Sequence, residues 1–340
     1  MRNPTSRSAA RALGIVLGAV FGSEFTLGAA QQLSAAAVAR PWQEPAPAPA
    51  ERKDAPPDVS QEPVPQELVP GALPADAAPQ AVSMWNAVST KISPAPTVER
   101  VTAFDLGFEA RVWQPNGEGE KTLKNAQLRF LAPNFVDSAL ESGRRRMRGP
   151  RGDWIVDSKG QAQRLQGLEL AQDRRELDQI VHVARTFANL VNVRSLRLRK
   201  LELIAVPPFK LPESVAERAA GKTWLSIVSP DFALARHDGT ASERDVRVWI
   251  AVDGATSLPF LAVVAEDDRG TLVPESALLL ELVNWTVLDG LQAPKSVRTF
   301  PPETLNGAWR FQERQNLQLW LSKGTLRAKL APADFEPPRK

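Results

Sequence analysis

The chain has 340 residues, a formal charge of +3, two histidines and no cysteine. Lack of cysteine excludes disulfides, thiol catalysis, cysteine-bound zinc and a lipid-modified N-terminal cysteine, and two histidines are too few for a multi-histidine metal site. So slight a charge on this length argues against a nucleic-acid binder, while nine Trp and thirteen Phe supply large apolar surfaces for a core.

Arg2, Arg7 and Arg11 precede a small apolar run over 12–22, the size of a signal-peptide core and short for a bilayer span. Ala-x-Ala-like sites follow near Ala30, Ala37 and Ala39, so 1–39 reads as a secretory signal peptide and the product as periplasmic. An uncleaved N-terminus that keeps the protein on a membrane is the alternative, since Glu24 interrupts the run. Residues 40–82 are rich in Pro, Ala and Glu and bury too little apolar surface to offset ordering, so a disordered proline-rich linker is expected.

A folded domain is predicted over 83–337. Met84, Trp85, Val88 and Ile92 share one face of a short helix that Pro94 and Pro96 end. Phe104, Leu106, Phe108, Ala110 and Val112 alternate with polar or small residues, as in a half-buried strand. A turn over 115–119 leads to a second strand through Ala126, Leu128 and Phe130, making a hairpin. The basic run Arg144-Arg-Arg-Met-Arg148 is read as a strand with its cations in solvent rather than as an anion-binding patch. Trp154, Ile155 and Val156 enter a turn at 157–160 and a return strand from Gln161.

Residues 170–191 form the one long amphipathic helix. Leu177, Ile180, Val181, Ala184, Phe187, Ala188 and Val191 make an apolar stripe, with Arg174, Asp178, His182 and Arg185 on the other side. After it, Leu196 and Leu198 fall out of phase with Leu201 and Leu203, which predicts a β-bulge near Lys200. Strands are then expected over 224–228, 246–252, 258–265, 278–287, 291–300 and 310–321, with turns at Asp253-Gly254, 267–270 and Asp289-Gly290. Hairpins without intervening helices make an antiparallel meander. The fold class is mainly β (α+β), an incomplete antiparallel β-barrel of about ten strands with the long helix in its concave face.

Catalytic chemistry finds little support. His182 on the polar helix face and His237 beside Arg236, Asp238 and Gly239 are read as solvated, and no Gly-x-Ser-x-Gly elbow accompanies them. Asp267 and Asp268 occupy a turn, where Asp suits the backbone. No glycine-rich phosphate loop, dinucleotide fingerprint or EF-hand loop occurs, so no cofactor is expected.

The order of elements resembles the LolA-like outer-membrane lipoprotein carriers over roughly residues 83–337. The resemblance rests on the short first helix, Leu128-Arg-Phe-Leu-Ala-Pro133 ending strand two, and Trp154-Ile-Val-Asp157 before the long helix. It rests also on Leu258-Pro-Phe-Leu-Ala and on Asn284-Trp-Thr-Val-Leu-Asp-Gly-Leu-Gln-Ala-Pro294. It implies an unclosed barrel that binds lipoprotein acyl chains or related amphiphiles. The carriers have an Arg before the Pro that ends strand two and fastens the helical lid; here that position is Ala132. A non-enzymatic binder of a lipid or a lipoprotein acyl chain is expected, with Phe104, Phe108, Phe130, Trp154, Ile180, Phe187, Trp224 and Trp249 as candidate cavity-lining residues. Ordinary core is the competing role for each. The second functional reading is a scaffold with a filled core that docks an envelope protein partner.

Overall fold

The computed structural model describes residues 68–95, 99–113, 120–139, 144–167, 170–233, 245–268, 271–305 and 308–337. The expected signal peptide, most of the expected linker, the expected turn at 115–119, residues 269–270 and His237 lie outside the described residues. The described residues make a single unit.

The first helix, α1 (Pro79–Ile92), begins with Pro at its first position, where the missing N–H is no loss, so it starts earlier than its apolar face suggests. Residues from 68 onward, read as linker, are part of the folded unit: Gly71 N donates to the Leu196 carbonyl at 3.0 Å, and Leu73 and Ala77 pack beside α1.

The N-terminal strands β1 (Ala103–Trp113), β2 (Glu120–Leu131), β3 (Phe135–Ala139), β4 (Arg145–Gly149), β5 (Gly152–Val156) and β6 (Ala162–Arg164) form an antiparallel meander. The helix α2 (Ala171–Val191) follows. A second meander contains β7 (Lys200–Ile204), β8 (Thr223–Val228), β9 (Asp245–Asp253), β10 (Leu258–Asp268), β12 (Leu278–Leu288), β13 (Leu291–Phe300) and β16 (Leu317–Thr325), with the short β11 (Thr271–Leu272) beside β10. Pairing of β1 with β16 joins the two meanders into one open sheet whose edges are β6 and β7. Sixteen strands are described, not about ten; the excess is mainly short strands of five residues or fewer, whose alternation is too brief to read.

This topology dictates the place of α2. The chain leaves β6 at one edge and must enter β7 at the other, so the connection crosses the sheet. Thirteen strands laid flat would span about 58 Å at normal spacing. A 21-residue helix is about 30 Å long, so the edges come within its reach only if the sheet curls. Register shifts in β1 next to Phe108 and in β10 between Pro259 and Leu261 mark irregular points in the ladder, where a strand bends. Opposite the first, Gly324 (φ +148°) lies so close to β1 that a Cβ would come 2.5 Å from the Asp105 carbonyl oxygen.

Both large helices pack on the concave face. α1 covers Leu225, Ile227, Val248, Ile250 and Val264, while α2 covers Phe104, Phe130, Ile155 and Ala293. The alternate residues of the same strands face outward. There α3 (Glu213–Ala219), Phe209 and the hairpin β14 (Pro302–Leu305) with β15 (Ala308–Phe311) cover Trp224, Trp249, Leu261 and Leu279. The Phe209 ring lies 5.3 Å from Trp249 and 5.9 Å from Phe311. With both faces covered, β9 reads as a continuous apolar run.

Several expectations change. The 310–321 segment divides between β15 and β16, and α3 is too short to show a helical period. There is no bulge at Lys200: β7 pairs with β8 in unbroken register, and Leu196 and Leu198 precede the strand after a 3-10 turn at Val193–Ser195. The basic run is not solvated, because Arg146 and Arg148 are buried beneath α2.

On the convex face Glu281 is fully buried, accepting from Arg218 Nε at 2.7 Å and Arg298 Nη1 at 3.1 Å. Glu281→Gln leaves two guanidiniums against a neutral amide. A stability loss of roughly 3 kcal/mol is expected in denaturant unfolding, the low end for a broken buried pair because both arginines keep solvent contact.

Candidate functional site

The site lies between α2 and the sheet, and the way α2 is fastened defines it. Along β4, residues two apart share the concave face, which aims Arg146 and Arg148, with Arg144 just before the strand, at the acids in the first turns of α2. Arg144 and Arg146 meet Asp173 at 2.8 and 2.9 Å, and Arg146 also pairs with Glu176. Arg148 grips Asp153 with two bonds of 2.8 and 2.9 Å and Asp178 with one of 2.6 Å. Burial works against the Arg148 charge, but the bonds it donates to Asp153 and Asp178, with their negative charges, outweigh it and raise its pKa. Ala132, where the resemblance expects a fastening Arg, is exposed in the turn after β2, and β4 supplies the cations instead.

The second half of α2 is tied through polar contacts to the 3-10 turn Pro230–Phe232. Arg185 Nε and Asn189 Nδ2 donate to the Asp231 carbonyl at 3.0 and 2.7 Å, and Arg185 Nη1 donates to Asn134 Oδ1 at 3.0 Å. The Asp231 carboxylate takes three bonds from Arg197. Burial opposes its charge, but Arg197 and Arg100 hold its pKa below the usual carboxylate value.

A third side of α2 is filled. Leu177, Val181, Ala184, Ala188 and Val191 are at most 4% exposed against β1, β2 and β13. Phe104 stacks on Phe130 at 5.3 Å and meets the edge of Phe187 at 5.4 Å, so three of the aromatic candidates form one anchor.

The remaining side leaves a slot. Val183, Phe187 and Leu190 form its helix wall. The facing wall comes from five neighbouring strands: Leu128 of β2, Leu106 and Phe108 of β1, Leu319 and Leu321 of β16, Pro294, Lys295 and Val297 of β13, and Leu280 and Leu282 of β12. It is partly open to solvent, has a cavity volume of about 50 Å³, and carries one ionisable residue, Lys295, in an otherwise apolar lining.

Of the eight candidates, Phe108 and Phe187 line the slot, while Phe104 and Phe130 are buried beside it under α2. Ile180 packs half-buried in the filled side. Trp154, Trp224 and Trp249 do not border the concavity. Their neighbours Ile155, Leu225, Val248 and Ile250 point to the helices, so strand alternation sends the three indoles to the convex face. The leucines at two-residue spacing are the slot residues that a search for aromatics misses, and their spacing is the signal that would find them.

His182 is not solvated. Its Nε2 is enclosed without a hydrogen-bond partner, and burial, reinforced by Arg185, lowers its pKa to about 4. A depressed histidine pKa favours folding with the ring neutral, so this contribution is complete above the ordinary pKa of 6.5 and is lost as pH falls toward 4. Stability is expected to drop by roughly 3 kcal/mol over that window. His182→Gln flattens the drop in urea unfolding measured at pH 7 and pH 4.5; an equal drop in both proteins contradicts the assignment. Asp267, in turn, pairs with Arg247 at 2.9 Å.

No protein-family model matches the sequence, and no curated protein does. Solved structures do. A DUF1329 family protein from Desulfovibrio piger is 13% identical, with 75% of this chain and 97% of that one covered at a TM-score of 0.35. A LolA superfamily protein from Nitrosomonas europaea is 14% identical with the same coverage and a TM-score of 0.38. The second belongs to the group whose element order the sequence resembles. Overlap this loose does not carry a ligand or an activity across.

Proposed function

We propose that the chain is an exported, non-enzymatic binding protein for an amphiphile, a lipid or an acylated protein, whose acyl chain enters the slot beside α2. The observation that supports this is the slot itself: a solvent-open, almost wholly apolar gap along a helix otherwise fastened or filled on every side. Water in such a gap finds few partners, whereas each buried methylene contributes about 0.8 kcal/mol. At about 50 Å³ the slot admits the end of a chain. Deeper entry requires the wall of Val183, Phe187 and Leu190 to move, and that wall meets the sheet through apolar contacts alone. Periplasmic residence is the part of the proposal that rests on the leader-like sequence of 1–39.

Isothermal titration with dodecanoate tests it. Binding is expected for the wild type and a loss of tenfold or more for Leu282→Trp, which fills the slot, with an unfolding midpoint close to the parent. Phe187→Ala is expected to lower stability by about 3 kcal/mol and shift the preference to longer chains. The tight packing of Leu177, Ala184 and Val191 favours the second reading, a scaffold docking an envelope protein. Absence of acyl binding by the wild type would decide for the scaffold.

A further inference from the structure

One residue in the slot does not fit a purely apolar ligand. On β13 the concave face carries Leu291, Ala293, Lys295 and Val297 in alternation; the others are buried, and Lys295 is exposed at the edge of the slot. Leu321 and Val297 are among its fellow lining residues, and none of these is acidic. Among the described residues Lys295 makes no ion pair. A lysine can lie on an apolar surface with its head in water, but a leucine here would complete the wall with more apolar area. What the ammonium adds is a fixed positive charge where an amphiphile's head would emerge once its chain lies against Val183 and Phe187.

Resting on the acyl-binding reading of the slot, we infer that the slot selects single-chain amphiphiles with an anionic head, a carboxylate or a phosphate, which pairs with Lys295. The chain fills the gap between α2 and the leucines of β12 and β16, and the head stays at the rim, where charge-assisted hydrogen bonding is available without burying the ion. Neutral heads gain nothing from the lysine, and cationic heads are repelled.

The test compares dodecanoate, dodecyl phosphate and dodecanol by titration into the full chain, in wild type, Lys295→Met and Lys295→Arg. Methionine keeps most of the stem and removes the charge. The wild type is expected to bind both anions about tenfold more tightly than the alcohol. That ratio should collapse to within about twofold in Lys295→Met, return in Lys295→Arg, and shrink with added salt. A tighter phosphate than carboxylate points to phosphate-headed lipids, the reverse to free fatty acids. Equal affinity for acid and alcohol in the wild type, or a ratio unchanged in Lys295→Met, overturns the inference while leaving the slot as an acyl site. If none of the three binds, the acyl-binding reading fails as well.

Discussion

The constraint on which the structure depends is topological: β6 and β7 are consecutive strands at opposite edges of one open sheet. The chain between them must cross the sheet, and a 21-residue helix does so on the concave face. Curvature, a helix in the concavity and an unclosed barrel are therefore one fact seen three ways. The same crossing explains why α2 touches strands from both meanders. It joins β4, the anchor on β1 and β2, and the turn beyond β8.

What sets the slotted side apart from ordinary core is that α2 is held unequally. Arg146 and Arg148 of β4, with Arg144 just before it, bind its acidic turns, Asp231 and Asn134 secure its later turns, and Leu177, Val181 and Ala184 fill the gap toward β1 and β2. Buried ion pairs add little net stability, since desolvation offsets attraction, but they fix geometry because breaking one leaves an uncompensated charge. The helix is thereby set in orientation, and the face with Val183, Phe187 and Leu190 is left with only apolar contact. One helix therefore carries a filled side, packed on β1, β2 and β13, and a slotted side, where Val183, Phe187 and Leu190 face an apolar wall of the sheet.

Much of this was legible in the residues. The alternation of Phe104, Leu106 and Phe108, the Asp-Gly turns and the α2 stripe fixed strands, hairpins and helix to within a few positions. What alternation did not give was which parity faces inward. Trp154, Trp224 and Trp249 are large and apolar, yet on the convex face α3 and a hairpin bury Trp224 and Trp249 as well as a cavity would, and Trp154 lies under the Arg164 guanidinium. Side-chain size points to the indoles, whereas Leu280, Leu282, Leu319 and Leu321 line the slot. Arg146 and Arg148 read as solvated for a related reason: their partners Asp173, Glu176 and Asp178 lie some 30 positions away on an element with a different period. Likewise His182 belongs to a polar helix face by periodicity, and only tertiary packing encloses it.

The central claim, that the slot beside α2 holds an acyl chain, is tested most directly by a crystal structure with 12-bromododecanoate and anomalous data collected at the bromine edge. The account predicts one bromine peak between Phe187 and the leucines of β12 and β16, with the carboxylate toward Lys295. Bromine only at other surfaces, or a slot closed by its own side chains at saturating ligand, would contradict it.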